Sequence, residues 1–138
     1  MNSKAKGEIS EGHVIAQLLT HGYAPSMPFG DNQRYDLIVD DGAHLWRAQV
    51  KTARMRNGCL VFNCCSIDVN TQARRTYHGQ IDIFLAYSPD TAKVYWVPIS
   101  DATKTEMSLR LEPAKPKGPK VTIRWAMDYE LTSRATRI

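Results

Sequence analysis

Residues 35–51 read YDLIVDDGAHLWRAQVK, and the period of polar and apolar side chains in this stretch decides the fold. Leu37 and Val39 alternate with Asp36 and Ile38, the two-residue repeat of a strand that buries one face. Asp40-Asp41-Gly42 follows as a hairpin signal, since glycine readily takes the positive φ of a tight turn. The return strand, residues 45–51, sends Trp46, Ala48 and Val50 to one face and Arg47, Gln49 and Lys51 to the other. A carboxylate at the start of one strand therefore stands beside an amide and an ammonium on its hairpin partner.

Upstream, residues 3–21 predict an amphipathic helix, because Ile9, Val14, Ile15, Leu18 and Leu19 recur at helical spacing and Gly22 supplies a stop. Pro25, Pro28, Gly30 and Asn32 mark an irregular link into the hairpin. Downstream, residues 59–64 predict a third strand, completing with the hairpin an antiparallel trio. Residues 81–87 form a near-continuous apolar run, the pattern of a central strand buried on both faces, and residues 94–99 return across a Ser88-Pro89-Asp90 turn. Residues 74–79 are too polar and short to classify. A short strand at 108–111, a basic Pro/Gly-broken loop and a closing helix at 125–131 complete the reading. The expected fold class is α/β in the mixed α+β sense, a mixed sheet flanked by helices in one domain, 1–138.

The chain has 138 residues, with 18 Lys and Arg against 14 Asp and Glu, for a formal net charge of +4. This excess favours a polyanionic partner. No apolar run approaches the length of a membrane span and the first residues lack a hydrophobic signal core, so a cytoplasmic, membrane-free protein is expected. Cys59, Cys64 and Cys65 are odd in number and lack C-x-x-C spacing, and they are expected as reduced thiols rather than a disulfide framework or a zinc site. His13, His21 and His44 have no ligand spacing and are read as helix or turn surface, and Tyr35, Tyr77 and His78 as packing.

Hydrolysis of a phosphodiester needs a cation to neutralise charge on the phosphoryl oxygens and a water in line with the leaving oxygen. Asp36, Gln49 and Lys51 offer oxygen donors and an ammonium at one place, and Glu11 approaches the same cluster if the first helix packs on the sheet. Glu8, one helical turn away, competes for that position.

Over nearly its whole length the chain resembles the group I intron-associated branch of the PD-(D/E)XK nucleases. The resemblance rests on KGEISE (6–11), HGY (21–23), PFGDNQRYDLIV (28–39), RAQVKTA (47–53), IDIFLAY (81–87), VYWVP (94–98), LRLEP (109–113) and RWAMDYEL (124–131). It implies a restriction-endonuclease-like core and an active site of Glu11, Asp36, Gln49 and Lys51. Glu11, Asp36, the Gln49 side chain and the Val50 carbonyl would hold Mg²⁺, with Mn²⁺ able to substitute. Lys51 would orient or help deprotonate the attacking water. Two departures stand out: Tyr35 occupies the position of the motif's Pro, and Gln49 that of its acidic residue. A neutral amide still donates an oxygen, yet it should hold the cation less tightly than a carboxylate.

The expected function is site-specific cleavage of double-stranded DNA by an intron-encoded homing endonuclease. A Holliday-junction resolvase and a catalytically inactive DNA-binding relative are the alternatives. Phosphate contacts are expected from Arg54 and Arg56, then from Arg74, Arg75, Lys115, Lys117 and Lys120. One small domain carries one active site, so cutting both strands calls for a homodimer or homotetramer.

Overall fold

The computed structural model describes residues 2–68, 70–112 and 123–134. Helix α1 spans Ser3–Thr20. The strands follow as β1 (Ala24–Ser26), β2 (Leu37–Asp40), β3 (Leu45–Thr52), β4 (Arg54–Arg56), β5 (Cys59–Asn63), β6 (Cys65–Ile67), β7 (Arg74–Thr76), β8 (Ile83–Ser88), β9 (Lys93–Pro98) and β10 (Glu106–Arg110). The closing helix expected at 125–131 is a single 3-10 turn, Ala126–Tyr129. The basic loop with Lys115, Lys117 and Lys120 lies outside the described residues.

The main sheet is mixed, in the order β1-β2-β3-β8-β9. The hairpin read from the sequence is present, with Leu37 opposite Ala48 and Val39 opposite Trp46. Its turn is fixed by side chains. Gly42 takes a φ of 94°, Asp41 Oδ1 accepts the N–H groups of Ala43 (2.8 Å) and His44 (2.6 Å), and Asp41 Oδ2 accepts the Trp46 indole N–H at 2.8 Å. These donors hold the Asp41 carboxyl down at about 2.

The expected antiparallel trio does not form. The strand at Cys59–Asn63 leaves the hairpin and lies between β10 and β4 in a separate three-stranded sheet. In its place β8 pairs parallel with β3, Gln49 opposite Phe84 and Lys51 opposite Ala86. The physical reason is burial: all six residues of β8 are buried, and such a strand needs a partner on each edge and cover on both faces. β3 and antiparallel β9 supply the edges.

One face of the sheet is covered by α1. Val14 and Leu18, fully buried, pack into a cluster with Leu37, Val39, Ala48, Ile83 and Leu85. The opposite face, with Phe84, Ala86, Tyr95 and Val97, packs on Leu60 and Phe62 from the small sheet. Each fully buried Leu or Phe in these layers contributes about 1.5–3 kcal/mol. The helix begins at Asn2, whose side chain accepts the Ala5 N–H at 2.8 Å. It tolerates Gly7 and Gly12, which each cost about 1 kcal/mol relative to alanine, because its buried stripe anchors it. Among the described residues, no helix is long and apolar enough to cross a membrane.

Candidate active site

β2 begins only at Leu37, whereas β3 runs on to Thr52, so the last residues of β3 extend past the end of β2. Asp36 closes this gap. Its N–H donates to the Ala48 carbonyl at 2.8 Å, and its Oδ2 accepts the Val50 N–H at 2.9 Å. A side chain thus replaces a strand partner at the point where the two strands part.

Helix α1 crosses the same strand end. Ser10, 2% exposed, sets its hydroxyl 2.6 Å from that of Thr52. Between helix and strand lies a groove of about 340 Å³, walled by Gly7, Glu8 and Glu11 from the helix and by Asp36, Gln49 and Val50 from the sheet. Glu11 and Asp36 also border a second hollow of about 200 Å³, under the loop that carries Met27, Pro28 and Gly30. Glu8 lines the first groove alone, which makes Glu11 the helix carboxylate common to both.

The electrostatics of the pair follow from this placement. Burial raises the Glu11 carboxyl above the usual range, and repulsion from Asp36 and then Glu8 adds to it. Burial also raises Asp36, against the opposing pull of the Val50 N–H and the Lys51 ammonium. Two carboxylates that burial and mutual repulsion both disfavour are stabilised by a cation between them.

The Gln49 side chain lines the groove and makes no hydrogen bond with the described residues, which leaves its amide oxygen free to accept. The Ala48 carbonyl faces Asp36, while the Arg47 carbonyl accepts the Asp82 N–H at 2.8 Å on the opposite edge of β3. By this alternation the Val50 carbonyl faces the Asp36 side. The set is two carboxylates and two neutral oxygens, and among the described residues no three His, Cys, Asp or Glu side chains converge. All-oxygen donors of this kind suit a hard divalent cation, held less tightly than by three carboxylates.

Lys51 does not line the groove. Its Nζ donates to the Tyr77 hydroxyl at 3.3 Å and stands 4.9 Å from the centre of that ring. Tyr77 is 4% exposed, and the Arg34 guanidinium lies 4.1 Å from its ring centre. Arg34 in turn donates to Gln80 Oε1 at 2.7 Å and to Ser66 Oγ at 3.0 Å. From the sequence Tyr77 is expected only to pack. It packs and it also holds Lys51, a contact 26 residues apart along the chain that no local pattern signals.

The arginines expected at DNA divide. Arg54 and Arg56 lie on exposed β4 and both donate to Glu106 of β10, Arg56 at 2.9 Å. Arg74 and Arg75 lie on exposed β7. A further residue, His13, reads from the sequence as plain helix surface. It is exposed, and its ring lies flat on Tyr87, centroids 4.3 Å apart and planes 5° from parallel.

A family model described as PD-(D/E)XK endonuclease matches residues 1–132 of the chain. Among solved structures, the bacterial homing endonuclease I-Ssp6803I is similar, with a TM-score of 0.75 and 24% sequence identity over 94% of this chain and 89% of that one. At this identity the likeness speaks to the fold. The comparison with curated proteins finds no match.

Proposed function

The chain belongs to the PD-(D/E)XK endonuclease family, and from that premise we propose that it is a site-specific homing endonuclease, encoded within a group I intron, that cuts double-stranded DNA with Mg²⁺. The observation that carries the proposal is the Asp36 carboxylate, pinned by the Val50 N–H beside Glu11 where β3 runs past β2. The homing role is supported by the likeness in fold to I-Ssp6803I.

In this reading Glu11, Asp36, the Gln49 side-chain oxygen and the Val50 carbonyl hold the cation. A divalent cation held by these residues would supply neutralisation of the charge that builds on the phosphoryl oxygens during displacement. Asp36 is fixed through Val50, so its oxygens need no reorganisation as the phosphate arrives. Lys51 orients the attacking water, and Tyr77 keeps the ammonium at the rim of the site until the phosphate draws it in. The free amide of Gln49 faces the groove and helps to align the phosphate group. Cleavage leaves 5′-phosphate and 3′-hydroxyl ends. Arg54, Arg56, Arg74 and Arg75 contact phosphates on either side, and a two-fold homodimer, or a pair of them, supplies one site for each strand.

The test is cleavage of intron-lacking genomic DNA with Mg²⁺, followed by sequencing of the new ends, beside a four-way junction. The expected result is one discrete cut locus with 5′-phosphate ends, abolished by chelator. Preferential cutting of the junction would place the enzyme among structure-specific nucleases instead.

A further inference from the structure

Beside the carboxylate groove, on the other side of the Ser10–Thr52 hydroxyl contact, lies a hollow of about 400 Å³. The two share Ser10 and Thr52 as a common wall, and Thr52 is exposed at its top. Its size is that of a small-ligand site.

Its chemistry is uneven in an informative way. The lining is mainly apolar, with Ile9 and Ala53, and its aromatic side is the stacked pair His13 and Tyr87. Tyr87 is 6% exposed, so His13 forms the solvent end of a two-ring platform anchored in the core. Lys6 from α1 and Arg54 from β4 stand at the border with the Asp90 carboxylate, and Arg54 also pairs with Glu106 of β10. A flat aromatic surface with two cations beside it matches an aromatic base joined to a phosphate. Neither hydrolysis nor cation binding at Glu11 and Asp36 uses any of these groups.

We infer that this hollow is a nucleotide subsite, which holds one unstacked nucleotide of the DNA next to the cleaved phosphate, its base on His13 and its phosphate against Lys6 and Arg54. The inference rests on the endonuclease reading above. It adds that the DNA is distorted at the cut, with one base out of the stack. The cost of unstacking, a few kcal/mol, depends on the step being opened, so the subsite would contribute to sequence choice without contacts to base edges.

The test titrates the full chain, in chelator, with deoxyadenosine 5′-monophosphate and follows the histidine ring protons by NMR, with His13 assigned through His13→Ala. Saturable upfield movement of the His13 signals is expected, with binding roughly tenfold tighter than that of deoxyribose 5-phosphate, which lacks the base. His13→Ala should lose most of that difference and His13→Phe should keep it. Lys6→Ala should weaken both ligands alike. A duplex with one unpaired deoxyadenosine should displace the mononucleotide. Unmoved His13 signals, equal affinity for the two small ligands, or a mononucleotide undisturbed by saturating duplex would each overturn the subsite. Plasmid cleavage with Mg²⁺ by the same preparations separates the two readings. Cleavage without the His13 response removes the subsite and leaves the nuclease, and the response without cleavage does the reverse.

Discussion

The Asp36 carboxylate accepts the main-chain N–H of Val50 at 2.9 Å, so one residue of the site aims its neighbour. Without this bond the Val50 N–H would lack a strand partner where β2 stops, and the adjoining carbonyl and the Gln49 side chain would lose their fixed direction. Stability and function pull against each other here, because burial disfavours the very charge that a cation would need.

Asp36→Asn keeps an acceptor for the Val50 N–H and removes the charge. Cleavage should fall by a factor on the order of 10³ or more, while the metal-free protein should melt no lower than the parent. The sign follows from the raised carboxyls of Glu11 and Asp36. Their folded forms bind protons more readily than the unfolded chain, so their contribution to stability declines as pH rises from the ordinary carboxylate range through the raised values. Thermal melts across pH should show a shallower decline for Asp36→Asn, and a markedly lower melting point at neutral pH would count against this placement.

Gln49→Glu retains the ligand oxygen and adds a charge. The expected outcome is retained cleavage at reduced Mg²⁺ demand, with weaker DNA affinity in chelator because a third negative group faces the phosphate. Metal titrations of cleavage rate, set beside binding isotherms at fixed salt, measure both.

Lys51→Ala should reduce kcat by roughly 10²–10⁴-fold with little effect on affinity, the range for losing a group that handles the attacking water. Tyr77→Phe leaves the buried ring and removes only the hydroxyl that receives Lys51. A smaller loss, about tenfold or less, is expected, together with a changed pH profile of cleavage. An unchanged profile would mean that Tyr77 only packs.

Glu106 occupies both arginines that the sequence assigns to phosphate. Glu106→Gln should free them, strengthening binding to every DNA sequence and steepening the slope of log K against log salt by about one to two. Arg54→Ala with Arg56→Ala should do the opposite. Insensitivity of the slope to all three changes would place the DNA elsewhere.

Asp41 gives a separate acid signature. Its carboxyl, held at about 2 by the Trp46 indole and the His44 and Ala43 N–H groups, stabilises the hairpin turn above its ordinary value of 3.8. That contribution should be lost as pH falls from about 4 to about 2. Asp41→Asn should flatten acid unfolding in that window and lower stability at neutral pH, as followed by tryptophan fluorescence.

The sequence by itself determined the hairpin and the residues on it. A two-residue period and an Asp-Asp-Gly turn are local, and they put Asp36 at the mouth of one strand with Gln49 and Lys51 on the next before any long-range contact is known. The apolar run at 81–87 likewise announced a central strand, since a strand buried on both faces has no polar face to show. Sequence period could not say which strand lies beside β3, because a parallel partner 35 residues away is chosen by the packing of two layers at once. The strand at 59–63 went to the small sheet for the same reason. Only the tertiary structure brought Glu11 to the groove shared with Asp36, turned Lys51 onto Tyr77, tied Arg54 and Arg56 to Glu106 and laid His13 on Tyr87. Each is a meeting of side chains far apart in the chain, and the local period that fixes which face a residue occupies carries no information about what faces it across the fold.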